Sequence, residues 1–232
     1  AQNLNCVFCH RAAVDFTQKS GAELRRKVSV EACVTCHGPS GPGPVYYKEE
    51  QRLSKYGFLV DLGLCISCSA CEAACKTWNN VPTGRNVRWR RVIDQVIGVW
   101  PKVSAYGVSM ACNHCDDAPC VKACPSGALS VRAADGIVLL DATKCIGCRY
   151  CESVCPYGAP QYDEVEKKMS KCTMCVDRID AGREPACVDT CPTGALQFGE
   201  IADLDRKGVR QIPNFAEPSY SNPSIRFVPK EG

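Results

Sequence analysis

CNHCDDAPCVKACPSGAL, residues 112–129, sets four cysteines in short steps and ends them on Cys-Pro. Cys112, Cys115 and Cys120 form a close trio, and Cys124 follows with Pro125 behind it. The same grammar recurs outward in both directions. Cys65, Cys68, Cys71 and Cys75 precede it; Cys145, Cys148, Cys151 and Cys155 follow, and Cys172, Cys175, Cys187 and Cys191 close the series. Sixteen of the chain's 20 cysteines fall into these four groups, and three of the groups end in Cys-Pro. In bacterial ferredoxins three closely spaced thiolates hold one cubane while a fourth ligates the other cluster of the pair. The pattern therefore predicts four [4Fe–4S] clusters with no ligand left over. Disulfides fit poorly, because cysteines two apart on a tight turn are bad partners and the chain is long enough to bury a core unaided. Zinc knuckles need two pairs of ligands and have no use for the extra Cys-Pro limb.

Organisation along the chain follows from the same repeats. Tyr56–Asp61 and Gly136–Asp141 read as strands that each lead into a cysteine turn. Cys124-Pro125-Ser126-Gly127-Ala128-Leu129 recurs as Cys191-Pro192-Thr193-Gly194-Ala195-Leu196, with Cys155-Pro156-Tyr157-Gly158-Ala159 as a third variant. Proline fixes the backbone after the ligand and glycine permits the turn, so each phrase predicts a helix-to-strand corner. The expected fold class is α+β: paired ferredoxin-like modules with a small irregular amino-terminal segment and an extended carboxy-terminal tail. The expected divisions are 1–37, a Gly/Pro-rich linker at 38–55, a four-cluster domain at 56–203, and a tail at 204–232 that lies on a partner.

Charge and hydropathy add exclusions. The formal charge is +3 over 232 residues, which serves to offset negatively charged clusters and gives no ground for nucleic-acid binding. The one basic run, Arg85 to Arg91 with Trp89 inside it, reads as a solvated or interface-facing insertion. No stretch approaches the roughly 20 consecutive apolar residues of a membrane helix. No nucleophile–base constellation or phosphate-cradling loop stands apart from the cysteines, so no catalytic residue is assigned.

The stretches at 112–129 and 171–199, the latter KCTMCVDRIDAGREPACVDTCPTGALQFG, resemble the four-cluster ferredoxin-type electron-transfer subunits of molybdenum or tungsten oxidoreductases. Dimethyl sulfoxide, polysulfide, thiosulfate and nitrate reductases and formate dehydrogenases have such subunits. The resemblance covers roughly Tyr56 to Asp203, and the tail PSYSNPSIRFVP is similar to the segment with which the family embraces its catalytic subunit. It implies crossed ligation: Cys65, Cys68 and Cys71 with Cys191; Cys172, Cys175 and Cys187 with Cys75; Cys112, Cys115 and Cys120 with Cys155; Cys145, Cys148 and Cys151 with Cys124. The nitrate-reductase branch replaces a third-group cysteine by tryptophan, but Cys148 is present here. The implied partners are a large catalytic subunit and a quinone-reactive membrane subunit or cytochrome. An alternative is the soluble arm of a quinone-oxidising complex that feeds cytochromes or a hydrogenase without a molybdenum subunit.

The amino-terminal segment departs from that family. Cys6-Val7-Phe8-Cys9-His10 and Cys33-Val34-Thr35-Cys36-His37 each match C-x-x-C-H, the attachment motif of c-type haem, and use two of three histidines. The segment resembles short pieces of multihaem cytochromes, which implies two haems with His10 and His37 as proximal ligands. Distal ligands would come from Met110, Met169, Met174, a lysine such as Lys19, or another chain. The competing account makes Cys6, Cys9, Cys33 and Cys36 one zinc or rubredoxin-like iron site. Haem attachment would place the chain outside the cytoplasm, as part of a membrane-associated complex.

Overall fold

Phe58, Leu59 and Val60 are consecutive, apolar and fully buried, the pattern of a strand covered on both faces. They are the centre of β1 (Tyr56–Asp61). In the computed structural model, which describes residues 55–84 and 86–230, β1 is the middle strand of the largest sheet. It pairs antiparallel with β8 (Leu196–Glu200) and parallel with β9 (Ile225–Val228). All described residues belong to the second of two units, Arg52–Gly232. The C-x-x-C-H motifs and all of the linker except Lys55 lie outside the described residues.

A long hairpin, β2 (Arg91–Val99) and β3 (Lys102–Met110), pairs from Arg91↔Met110 out to Val99↔Lys102. Its base is buried from Tyr106 to Met110, whereas Val99 and Trp100 at its tip are exposed. Two short hairpins follow: β4 (Leu129–Val131) with β5 (Val138–Leu140), and β6 (Gln161–Asp163) with β7 (Lys168–Ser170). The expected corners are present, since β4 and β8 begin at the leucine of each Cys-Pro-x-Gly-Ala-Leu phrase.

Helices are short and sit on the cysteine groups. They are α1 (Ala70–Trp78), α2 (Pro119–Lys122), α3 (Tyr150–Ser153), α4 (Val176–Asp180), α5 (Ala186–Asp189) and α6 (Ile201–Leu204). Four of them carry a ligand candidate: Cys71 and Cys75 in α1, Cys120 in α2, Cys151 in α3 and Cys187 in α5. The stretch read as an extended tail contributes a packed strand to its own domain, because Ile225 and Phe227 give β9 apolar anchors that are buried against β1. Gly57 makes this approach possible, for a Cβ there would meet the Ser224 carbonyl oxygen at 2.5 Å.

Candidate metal centres

The four cysteine groups are not four sites. Each chain segment wraps three of its thiols round one space and sends the fourth to another. One pocket is lined by Cys65, Cys68, Cys71 and Cys191, and a second by Cys112, Cys115, Cys120 and Cys155. The Cys151 thiol feels Cys145, Cys148 and Cys124. Cys75 feels Cys187 and Cys175, Cys172 feels Cys75 and Cys187, and the Asn79 amide nitrogen lies 3.8 Å from the Cys75 sulfur and 3.5 Å from that of Cys175. The structure thus brings together the four crossed sets that the family resemblance implies.

Local backbone explains why each trio curls. Ser67 and Ser69 have positive φ (56° and 58°), as do Gly147 and Arg149 at the equivalent places in the third group (69° and 64°). Left-handed residues turn successive N–H groups to one side and create a concavity suited to an anion. In the fourth group Met174 and Cys175 do the same, and the Met174 N–H points to the Cys172 sulfur at 3.3 Å. Gly107 of β3 lets the first trio close in, because a Cβ there would press on the Ser67 hydroxyl and lie 3.0 Å from the Cys65 sulfur.

The thiol electrostatics divide by position. Burial pushes Cys75, Cys115 and Cys120 up to about 12 and Cys151 up to about 11, with neighbouring thiols adding to the rise. Cys172 and Cys187 move up for the same reason. Of the four crossing thiols, Cys75 and Cys155 are raised by burial while Cys124 and Cys191 move down: burial opposes this, but N–H groups of Leu129, Ala128 and Ser126, or of Leu196, Thr193 and Ala195, outweigh it. The Ser126 and Thr193 hydroxyls help. The repeated Cys-Pro-Ser/Thr-Gly-Ala-Leu phrase is therefore a backbone cradle for a thiolate.

The donor set fits cubanes. All sixteen cysteines of the groups are free, and among the described residues no three Cys, His, Asp or Glu side chains converge as ligands of a single metal ion. A cubane requires this, because each thiolate holds a different iron and the sulfurs stand apart around the cluster.

Several side chains beside the sites were not singled out by the sequence. The basic run is solvated only in part: Asn86 and Arg88 are exposed but Arg90 is buried, Arg88 donates to Glu72 at 3.1 Å, and Arg91 donates to the carbonyls of Tyr157 and Gly158. The aromatic Trp89 inside the run, whose indole N–H reaches Ser170 at 3.0 Å, was the available signal that it packs inward. Buried Lys171 donates to the carbonyls of Val138 and Cys172. His114 accepts from the Val138 N–H at 3.1 Å, and burial, with Lys171 and Arg90 nearby, holds it well below its ordinary pKa. Met110, Met169 and Met174, offered above as distal haem ligands, are packed in the core.

Two 4Fe–4S dicluster domain families match the chain, one over residues 64–129 and the other over 103–201. Two dicluster domains and sixteen cysteines give four [4Fe–4S] clusters. The chain is similar to one of the chains of the anaerobic dimethyl sulfoxide reductase of Escherichia coli (strain K12), 44% identical over 186 residues, covering 76% of this chain and 89% of the relative. It is 38% identical to a sulfite dehydrogenase subunit of Allochromatium vinosum over 77% of this chain and 84% of the relative. The formate dehydrogenase iron–sulfur subunit of Haemophilus influenzae is 33% identical over 82% of this chain and 65% of its own length. With its crossed thiol sets and this breadth of likeness, the chain belongs to the 4Fe–4S dicluster family of electron-transfer subunits that includes those of dimethyl sulfoxide reductase and formate dehydrogenase.

Proposed function

We propose that this subunit relays single electrons between a catalytic molybdenum or tungsten subunit and a quinone-reactive membrane subunit or a cytochrome. The observation that carries the reading is the crossing of ligand sets, because each crossing ties two neighbouring sites into one rigid element. Cys71 and Cys75 share α1, and Cys187 and Cys191 flank the end of α5. Cys112 and Cys172 pack in one apolar cluster. Cys120 with Cys124, and Cys151 with Cys155, tie the last pair in the same way. The four sets then follow one another as a line: Cys65/Cys68/Cys71/Cys191, Cys75/Cys172/Cys175/Cys187, Cys112/Cys115/Cys120/Cys155, and Cys124/Cys145/Cys148/Cys151.

When bound, the clusters supply one-electron carriers whose potentials depend on net charge, hydrogen bonds to sulfur and burial. The chain's own residues set these quantities. Leu129 and Ala128 turn N–H groups on the Cys124 sulfur, Leu196 and Ala195 do so on that of Cys191, and mostly apolar side chains line the first and third sites. The partner subunits hold the substrate chemistry. Relatives of this chain are named as parts of a reductase and of dehydrogenases, which supports a multi-subunit setting, and no helix among the described residues is long and apolar enough to cross a membrane.

The amino-terminal motifs extend the relay. Cys6, Cys9 and His10, and Cys33, Cys36 and His37, attach two c-type haems, and the Gly/Pro linker tethers this port to the clusters. At least one haem takes its distal ligand from another subunit or stays five-coordinate, because the chain offers few candidates beyond Met110, Met169, Met174 and a lysine such as Lys19. Haem attachment puts the assembly outside the cytoplasm, in the periplasm or on the outer face of the cytoplasmic membrane.

Purification of the native complex tests all of this. The expected result is about sixteen cluster irons per chain, a large molybdopterin polypeptide in the same complex, and a c-type haemochrome spectrum that survives denaturation. A colourless denatured chain with one zinc would put a four-cysteine site at Cys6, Cys9, Cys33 and Cys36. Iron-loaded chain that copurifies with a membrane subunit or hydrogenase and no molybdenum would replace the proposed client.

A further inference from the structure

Arg90 is 2% exposed, among the most deeply placed large side chains of the domain. A buried guanidinium is destabilising unless negative charge and acceptors surround it. Among the described residues its side-chain hydrogen bonds go to Ser109 alone, Nη1 donating to the hydroxyl at 3.1 Å and to the carbonyl at 3.4 Å. Nε and Nη2 are buried donors with no acceptor in the protein. The guanidinium stacks over Phe58, 4.4 Å from its ring centroid, which offsets only part of the cost.

What surrounds it is sulfur from two sites. The Ser109 hydroxyl that anchors Nη1 also meets the Cys71 sulfur at 3.3 Å and lines the Cys65/Cys68/Cys71/Cys191 pocket. The backbone N–H of Arg90 serves the Cys75 sulfur, which belongs to the next set. The strongest charge interactions of Arg90 are with Cys187, Cys172, Cys71 and Cys75, drawn from both sets.

We propose that Arg90 is the shared counter-charge of these two neighbouring clusters, holding both at higher reduction potential than they would have without it. The inference rests on the ligand sets proposed above. Arginine stays protonated throughout, so one electron arriving from an adjacent site adds one negative charge beside a fixed positive one; no bond forms and no proton moves. The two orphaned N–H donors would find their acceptors in the bound clusters, in the charge-assisted bonding that a guanidinium favours.

Redox titration of the full-length chain, followed by electron paramagnetic resonance, tests the proposal with Arg90→Met and Arg90→Lys. In Arg90→Met the two clusters at Cys65/Cys68/Cys71/Cys191 and Cys75/Cys172/Cys175/Cys187 should each become at least tenfold harder to reduce, about 59 mV for one electron. The other two should keep their potentials, and Arg90→Lys should recover part of the shift. Unchanged potentials in a fully loaded Arg90→Met chain, or equal shifts in all four clusters, would overturn it. Should Arg90→Met lose iron, wild-type chain carrying guanidino-15N arginine decides the matter: nitrogen modulation of the reduced signals of those two clusters supports the proposal, and its absence defeats it. An iron count well below sixteen in the wild type would instead defeat the four-cluster reading on which it stands.

Discussion

Cys191 follows α5 closely in sequence, yet its sulfur lines the pocket of Cys65, Cys68 and Cys71. Cys191→Ser should therefore damage that cluster and spare the one bounded by Cys172, Cys175 and Cys187. The loss should be about four irons at most, read as one missing signal in the redox titration. Disruption of the Cys172 cluster with the Cys65 cluster intact would break the crossing. Cys124 offers the symmetric case, since its cradle of Leu129, Ala128 and Ser126 amides repeats the one at Cys191. These cradles are residue-scale devices, and both depend on the glycine of the phrase: Gly127 and Gly194 have φ of 64° and 65°, a left-handed turn that other residues adopt only with strain.

At the scale of elements, β1 connects the iron sites to the carboxy-terminal stretch. Its partner β9 brings Phe227, fully buried, against the core, and Ser224 just before it donates its hydroxyl to the His114 carbonyl at 2.9 Å. Ser221 adds a hydrogen bond with the Tyr157 hydroxyl at 3.0 Å, beside the Cys155 site. The stretch is thus a strap over the Cys112/Cys115/Cys120/Cys155 pocket as well as an edge strand. Gly57→Ala should push the strap off, because the added Cβ strikes backbone that cannot rotate away; overpacking of this kind costs about 1–3 kcal/mol. The expected outcome is faster proteolysis between residues 221 and 230 with the cluster at Cys65 retained. Resistance equal to wild type would show that β9 is not held by this contact.

Across the whole domain, the cysteines are part of the core rather than decorations on it. Cys71, Cys115, Cys120, Cys151 and Cys187 sit in the same buried cluster as Phe58, Val108, Met174 and Phe227. Among the described residues no disulfide links them, and helices of four or five residues are too short to persist alone. Metal binding is then folding free energy. Oxidation and chelation that strip the clusters should abolish far-ultraviolet circular dichroism and expose sites throughout 55–230 to protease, and a native-like spectrum in iron-free chain would refute that dependence. The raised thiols have a matching consequence: Cys75, Cys115 and Cys120, pushed up to about 12, must each release a proton when iron binds, so reconstitution should release protons and strengthen as pH rises.

The candidate cluster ligands were legible in the sequence because cluster chemistry needs thiolates at short, fixed spacings, and no other residue satisfies that demand. Strand β1 and the Cys-Pro corners were legible for a similar reason, since apolar runs and Pro/Gly pairs act within a few residues. The crossing of the fourth cysteines followed from likeness to a family, not from spacing, and only the packing of α1 against α5 and of β3 over the first loop brings those sulfurs to one place. The inward turn of Arg90 was signalled only by Trp89 beside it, and the docking of β9 was hidden altogether. A charged run and a proline-rich tail look solvent-facing in one dimension; burial of a guanidinium needs sulfur from Cys71, Cys75, Cys172 and Cys187 converging from distant segments, and a parallel edge strand needs a partner more than 160 residues away, as Phe58↔Ile225 pairing shows. Short-range chemistry wrote the ligands into the sequence, and long-range convergence, which no local pattern encodes, decided what surrounds them.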